Sequence, residues 1–261
     1  CYDLSPRKQI IWPVLAAITV IAGGIGIESL TNPAGGQWFL DQVDITIFWF
    51  GGLPYKITLL TDLFTLLWLL GVIYATKFFD GLDGLVSGIT VIGSLVVFLT
   101  SLSPKIGQPE TAFIALLVAA CFAGFLVFNF HPASIFLGES GSTLAGFLLG
   151  TLAIISESKV VTTLVVMSLP ILDLIWVILR RLMFERKPLS VGDKKHIHHR
   201  LLASGLSQRA AALVLYAWAA VCGVFAFIYQ GSSQWYVFSV AAVLVFLFGY
   251  FLVRQARVKQ L

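Results

Sequence analysis

Long apolar stretches recur along this chain, separated by short polar breaks that hold most of the charge. A membrane-spanning helix needs about 20 mostly apolar residues. By that measure 9–27, 57–76, 84–103 and 111–130 predict four spans, with Asp62 near the start of the second. Residues 140–156 predict a short fifth, and 160–179 a sixth that contains Asp173. The stretch 210–253 carries no charge and is too long for one span. Gln-Gly-Ser-Ser-Gln at 230–234 is a turn signal that divides it in two. The pattern predicts an all-α integral membrane protein, a polytopic bundle of about eight transmembrane helices. In the break 28–56, Asn-Pro and Gly-Gly pairs and a β-branched and aromatic run at 43–50 predict a small outer β-hairpin on the membrane.

Composition agrees. Of 261 residues, 58% are hydrophobic and 11% charged, against about 25% charged in soluble domains. That excludes a soluble enzyme, a disordered tail and a secreted disulfide scaffold. Cys121 and Cys222 lie in apolar runs and Cys1 at the terminus, so neither a disulfide framework nor a metal cluster is expected. The basic residues set the orientation. With the N-terminal segment cytoplasmic and the helices alternating, fourteen of seventeen Lys and Arg fall on the cytoplasmic side; only Lys56, Lys105 and Lys159 fall outside.

In this topology the unusual polar residues gather on the cytoplasmic face. Lys77, Asp80 and Asp83 are spaced three apart and would share one face if helical. Gly81 and Gly84 beside the acids would let a phosphate or metal approach the backbone. The bland reading is a helix end with capping aspartates. In Asn129–Ser142 a helix is expected to end near His131-Pro132 and a new one to begin near Ser140. Such an N-terminus favours anions, and Glu139 could be a ligand or a base; an ordinary N-cap would look the same. Segment 180–209 is the most specific. It carries Asp193, His196, His198, His199 and Arg200 among many cations. Zinc would be opposed by those cations, whereas imidazoles mixed with Lys and Arg suit a polyanion such as a nucleotide diphosphate. Asp173, a carboxylate inside a span, needs a partner: either a cation at the same helix end, such as Arg180, or a group behind the site.

These residues together resemble the polyprenyl-phosphate N-acetylhexosamine-1-phosphate transferases, whose members initiate cell-envelope glycopolymers such as teichoic acid and O-antigen. Phospho-MurNAc-pentapeptide translocase is a more distant relative. The resemblance runs through Asp3-Leu-Ser-Pro-Arg7, Asp80-Gly-Leu-Asp83-Gly-Leu, Asn129-Phe-His-Pro-Ala, Phe136-Leu-Gly-Glu139-Ser-Gly-Ser142, Pro170-Ile-Leu-Asp173 and His196-Ile-His198-His199-Arg200. It implies a single membrane-embedded transferase domain over 1–261, with 180–209 as a cytoplasmic active-site loop. It also implies transfer of a sugar 1-phosphate, such as GlcNAc 1-phosphate, from a UDP-sugar to polyprenyl phosphate with release of UMP. Asp80 and Asp83 would be catalytic. Lys77, Asn129, Asp193, His196, His198, His199 and Arg200 would bind substrate. Magnesium, or manganese in its place, would sit at Glu139 and Asp80. A homodimer at the plasma membrane is expected and a nucleic-acid partner is not. His-x-His-His is similar to the N-acetylglucosamine branch.

Three departures stand out. The family's adjacent Asp pair would precede Cys1, because Asp3 resembles the third acid of that motif, so the chain is expected to be an N-terminally truncated piece. The family has Asn where Lys77 stands and Asp where Glu139 stands, both at its magnesium site. A lysine and a longer carboxylate changing together suggest either that Lys77 pairs with Glu139 and replaces part of the metal charge, or that the metal shifts onto Asp80, Asp83, Glu139 and the missing acid pair. The rival readings are a transporter using Asp62 and Asp173, and an inactive scaffold of the same fold.

Overall fold

A computed structural model describes residues 6–42, 44–50, 53–156, 160–185 and 196–258. Asp3 and Asp193 lie outside them. The chain opens with two short helices, α1 (Pro6–Gln9) and α2 (Ile11–Ala22). The apolar stretch 9–27 predicts a full span, but α2 has only 12 residues. At a rise of ~1.5 Å per residue it falls well short of a ~30 Å hydrocarbon core. Pro13 has no N–H to offer Gln9 O, so α1 stops at Gln9. Beyond Ala22, Gly24 takes φ +76° and turns the chain away.

The break that follows forms two hairpins where one is expected. β1 (Ser29–Thr31) pairs with β2 (Gln37–Phe39), and β3 (Asp44–Phe50) with β4 (Leu53–Thr58), both antiparallel. Trp235 Nε1–H donates to Thr31 O at 2.7 Å and ties the first hairpin to the bundle.

Six helices are long and apolar enough to cross a membrane. They are α3 (Leu59–Phe79), α4 (Leu85–Leu102), α5 (Pro109–Asn129), α6 (Gly138–Ile155), α10 (Gln208–Ile228) and α11 (Ser233–Val258). The bent pair α7 (Val160–Val166) and α8 (Ser168–Arg180), with a 79° bend, forms either a seventh, broken span or a re-entrant loop. Pro170 explains the bend: lacking an N–H, it leaves Val166 O without its helical donor, and the break falls at Met167. The protein is therefore an all-α multi-pass membrane protein, with six or seven such spans among the described residues. Leu67, Phe113, Val127 and Leu247 are exposed on its flanks, as suits a lipid-facing surface. Buried hydroxyls of Thr76, Thr90 and Thr100 donate to the carbonyl four residues earlier, so no partner outside the helix is needed.

The packing of α6 on α3 positions the site. Ser142, Gly146 and Gly150 recur every four residues, a small-residue stripe of the kind that lets helices approach closely. A Cβ at Gly146 would lie 2.7 Å from Ile73 Cα and 2.9 Å from Val72 O. Those atoms are backbone and cannot swing aside. Gly146→Val is expected to cost about 1–3 kcal/mol by overpacking, measured as a lower thermal midpoint in detergent; an unchanged midpoint would contradict this contact.

Candidate active site

The end of the bundle that carries Lys77, Arg180 and Arg209 gathers every described candidate residue. The spacing of Lys77, Asp80 and Asp83 predicts one helical face, but the structure corrects this. α3 stops at Phe79, where Gly81 N–H turns back to Phe79 O at 2.8 Å. Gly84 then takes φ +76° before α4 begins. A left-handed residue breaks the helical run, so both acids sit on a turn between α3 and α4.

Asp80 is partly buried against α6. Burial pushes its carboxyl up to about 6, and a hydrogen bond with Ser142 pulls it back in part. Lys77 forms an ion pair with Glu139 in the first turn of α6 and donates to Gln9 Oε1 at 3.0 Å. Asp83 Oδ2 accepts from His131 Nδ1–H at 2.7 Å and from Ala133 N–H at 3.3 Å. Arg209 Nε–H donates to His131 O at 2.8 Å. Asn129 is buried: its Oδ1 accepts from Ser87 Oγ–H at 2.7 Å and its Nδ2–H donates to Ile135 O at 2.9 Å. It thereby fastens the 130–137 turn to α4.

The histidines stand on a short helix, α9 (Ile197–Ala203), preceded by His196. Asp173 on α8, only 6% exposed, anchors them. Its Oδ2 accepts from His196 Nδ1–H at 2.6 Å and its Oδ1 from Ile197 N–H at 3.0 Å. In the neutral ring this places the proton on Nδ1 and makes Nε2 an acceptor. The His196 ring stacks between Phe78 and His198, with centroids 6.3 and 5.6 Å away. His198 is 1% exposed, edge-on to Phe79 at 5.5 Å, and its Nδ1 has no partner among the described residues. Burial first, then the neighbouring His199 and His196, lowers its pKa to about 3, so the ring is neutral near pH 7. A Cβ at Gly81 would meet His198 Nε2 at 2.1 Å. The turn carrying Asp80 thus rests directly on the His198 ring. His199 and Arg200 are only partly exposed.

Sequence reasoning reaches Lys77, Asp80, Asp83, Glu139 and the histidines but misses two groups. One is Ser142, hydrogen-bonded to Asp80. The other is the specific use of Gly81, which admits the His198 ring rather than a ligand. Asp173 proves to be the group behind the site: its described partners are His196 and the Ile197 N–H. Asp62, the transporter candidate, accepts from Thr58 N–H at 3.1 Å, at the far end of α3.

The divalent cation that the resemblance implies does not fit the described residues. No three carboxylate, imidazole or thiol groups among them converge on one point. Glu139 is already engaged by an ammonium, which has hydrogens to give and no lone pair to offer a metal.

The sequence pattern of Glycosyl transferase family 4 matches residues 1–157. A probable undecaprenyl-phosphate N-acetylglucosaminyl 1-phosphate transferase of Bacillus subtilis is 31% identical over 250 residues, covering 94% of this chain and 64% of that protein. A decaprenyl-phosphate N-acetylglucosaminephosphotransferase of Mycolicibacterium smegmatis is 34% identical over 236 residues, covering 79% of this chain and 56% of that protein. A phospho-N-acetylmuramoyl-pentapeptide-transferase of Moorella thermoacetica is 34% identical over a shorter 145 residues. The chain therefore spans 56–64% of the length of the first two relatives. Matched over more than half its residues, the chain belongs to glycosyl transferase family 4.

Proposed function

We propose that this chain is the membrane-embedded core of a polyprenyl-phosphate N-acetylglucosamine-1-phosphate transferase working at the cytoplasmic face of the plasma membrane. One observation carries the reading. Segments far apart in sequence meet at one end of the bundle: Gly81 on His198, Asp83 on His131, and Lys77 on Glu139. Acids, imidazoles and cations at a membrane boundary suit two anionic substrates, one of them a lipid.

In the proposed reaction an oxygen of polyprenyl phosphate attacks the β-phosphorus of the UDP-sugar. The new P–O bond joins the two phosphates, the bond to the α-phosphate bridging oxygen breaks, and UMP leaves with that electron pair. The product is a polyprenyl-diphosphate sugar. Phosphoryl transfer asks mainly for positioning and charge neutralisation. Asp80 takes the proton of the lipid phosphate. Lys77 and Arg200 neutralise the diphosphate, and His196 Nε2 and His199 hold the nucleotide sugar. Asp193 and magnesium belong to the reading through the resemblance alone.

The test is UMP release from UDP-N-acetylglucosamine and undecaprenyl phosphate by the intact protein, with and without EDTA. Release of UMP is expected. No release with any UDP-sugar, together with no UDP-sugar binding, would favour the inactive scaffold.

A base must be deprotonated to act, so a pKa raised to about 6 moves the acid limb of the profile upward. The value of kcat/KM is expected to fall about tenfold per pH unit below pH ~6, and Asp80→Asn should remove that limb with most of the activity. A limb near pH 4 would take Asp80 out of the base role.

A further inference from the structure

We infer that Lys77 is the resident cation of this site, and that its ammonium keeps a divalent ion off Glu139. Three observations hold the pair together. First, both charges sit where helix dipoles favour them. Lys77 lies in the last turn of α3, where unpaired carbonyls leave partial negative charge, and Glu139 in the first turn of α6, where free N–H groups leave partial positive charge. Second, the two helices cannot drift apart or slide freely, because the α6 stripe at Gly146 and Gly150 seats against Ile73, Thr76 and Leu69.

Third, the ammonium is held on more than one side. Gln9 Oε1 accepts from it at 3.0 Å, and the Tyr74 ring lies 5.7 Å below it. Its side chain is 16% exposed, whereas that of Glu139 is 52% exposed. The lysine is thus the enclosed member and the carboxylate the one that meets solvent. A second cation approaching Glu139 from solvent would find its charge already neutralised and a positive group behind it.

The chemical consequence rests on the transferase reading: the fixed charge paired with Glu139 would meet the substrate diphosphate with no metal at Glu139. The cation assignment itself does not rest on that reading. It predicts how a probe ion behaves whether or not the protein forms UMP.

Manganese binding to the intact protein, purified in detergent and followed by the loss of free Mn2+ signal in electron paramagnetic resonance, separates the outcomes. In the unaltered protein, Glu139→Gln should change Mn2+ affinity by less than twofold. Lys77→Asn should create a Mn2+ site at least tenfold tighter, and adding Glu139→Gln to it should abolish that site. Lys77→Arg keeps the charge and should create none. Lys77→Gln serves as a second neutral variant should Lys77→Asn fail to fold, as judged by thermal melting. Mn2+ binding in the unaltered protein that is lost on Glu139→Gln would overturn the inference, as would a folded neutral variant with unchanged affinity. Absence of UMP with the expected Mn2+ pattern would overturn only the transferase reading.

Discussion

Gly81→Ala is expected to reduce UMP release about 100-fold or more, because the added methyl would lie 2.1 Å from His198 Nε2 and 2.7 Å from Cδ2. Something must move. The His198 ring is wedged between Phe79 and His196, and His196 is held by Asp173. The Asp80 turn is the part that gives way, carrying its carboxylate off Ser142. Overpacking alone should cost about 1–3 kcal/mol of stability. Loss of stability and loss of activity can be separated by adding His198→Gly, which reopens the space. The double variant should recover part of its thermal midpoint while UMP release stays low, because the Asp80 turn no longer rests on a ring. Activity of Gly81→Ala within twofold of the unaltered protein would show that the turn does not depend on this contact.

Asp173→Asn is expected to lower kcat/KM by about tenfold or more, because Asp173 fixes the ring of His196, which the proposed function places on the nucleotide sugar. An asparagine carbonyl can still accept from Ile197 N–H. Its NH2, however, would present hydrogens to His196 Nδ1, and the ring would have to shift its proton to Nε2. Nε2 would then donate where, in the neutral ring, it had accepted. Asp173→Ala is different, since it leaves two buried donors unpaired at about 1–3 kcal/mol each. The first variant should keep its thermal midpoint and lose activity; the second should lose both. Equal activity in Asp173→Asn and the unaltered protein would remove the tautomer from the account.

The spans were legible because apolar runs punctuated by polar residues translate directly into helices and turns. Pro13 and Pro170 account for what the runs alone conceal: the first shortens the opening helix, the second bends α7 against α8. Hydropathy averages over a proline, whereas the backbone cannot. In the site, the pairing of Lys77 with Glu139 was legible because a cation and a longer carboxylate appear together. The shared face of Lys77, Asp80 and Asp83 was not, because Gly81 and Gly84 end the helix that spacing assumes. The partner of Asp173 was open between a cation seven residues on and a group behind the site. Only the return of the chain after α8 brings His196 to it. The contact of Gly81 with His198 joins positions more than a hundred residues apart, and no local pattern announces it.

That contact bears on how the protein is made. Gly81 emerges from the ribosome long before His198, yet the ring forms the floor on which the Asp80 turn rests. A nascent chain that has inserted α3 through α6 holds its acids over an unfilled space, with neither Asp173 nor α9 yet available to close it. The Asp80 turn therefore gains its floor only when α9, ending at Ala203, has been made.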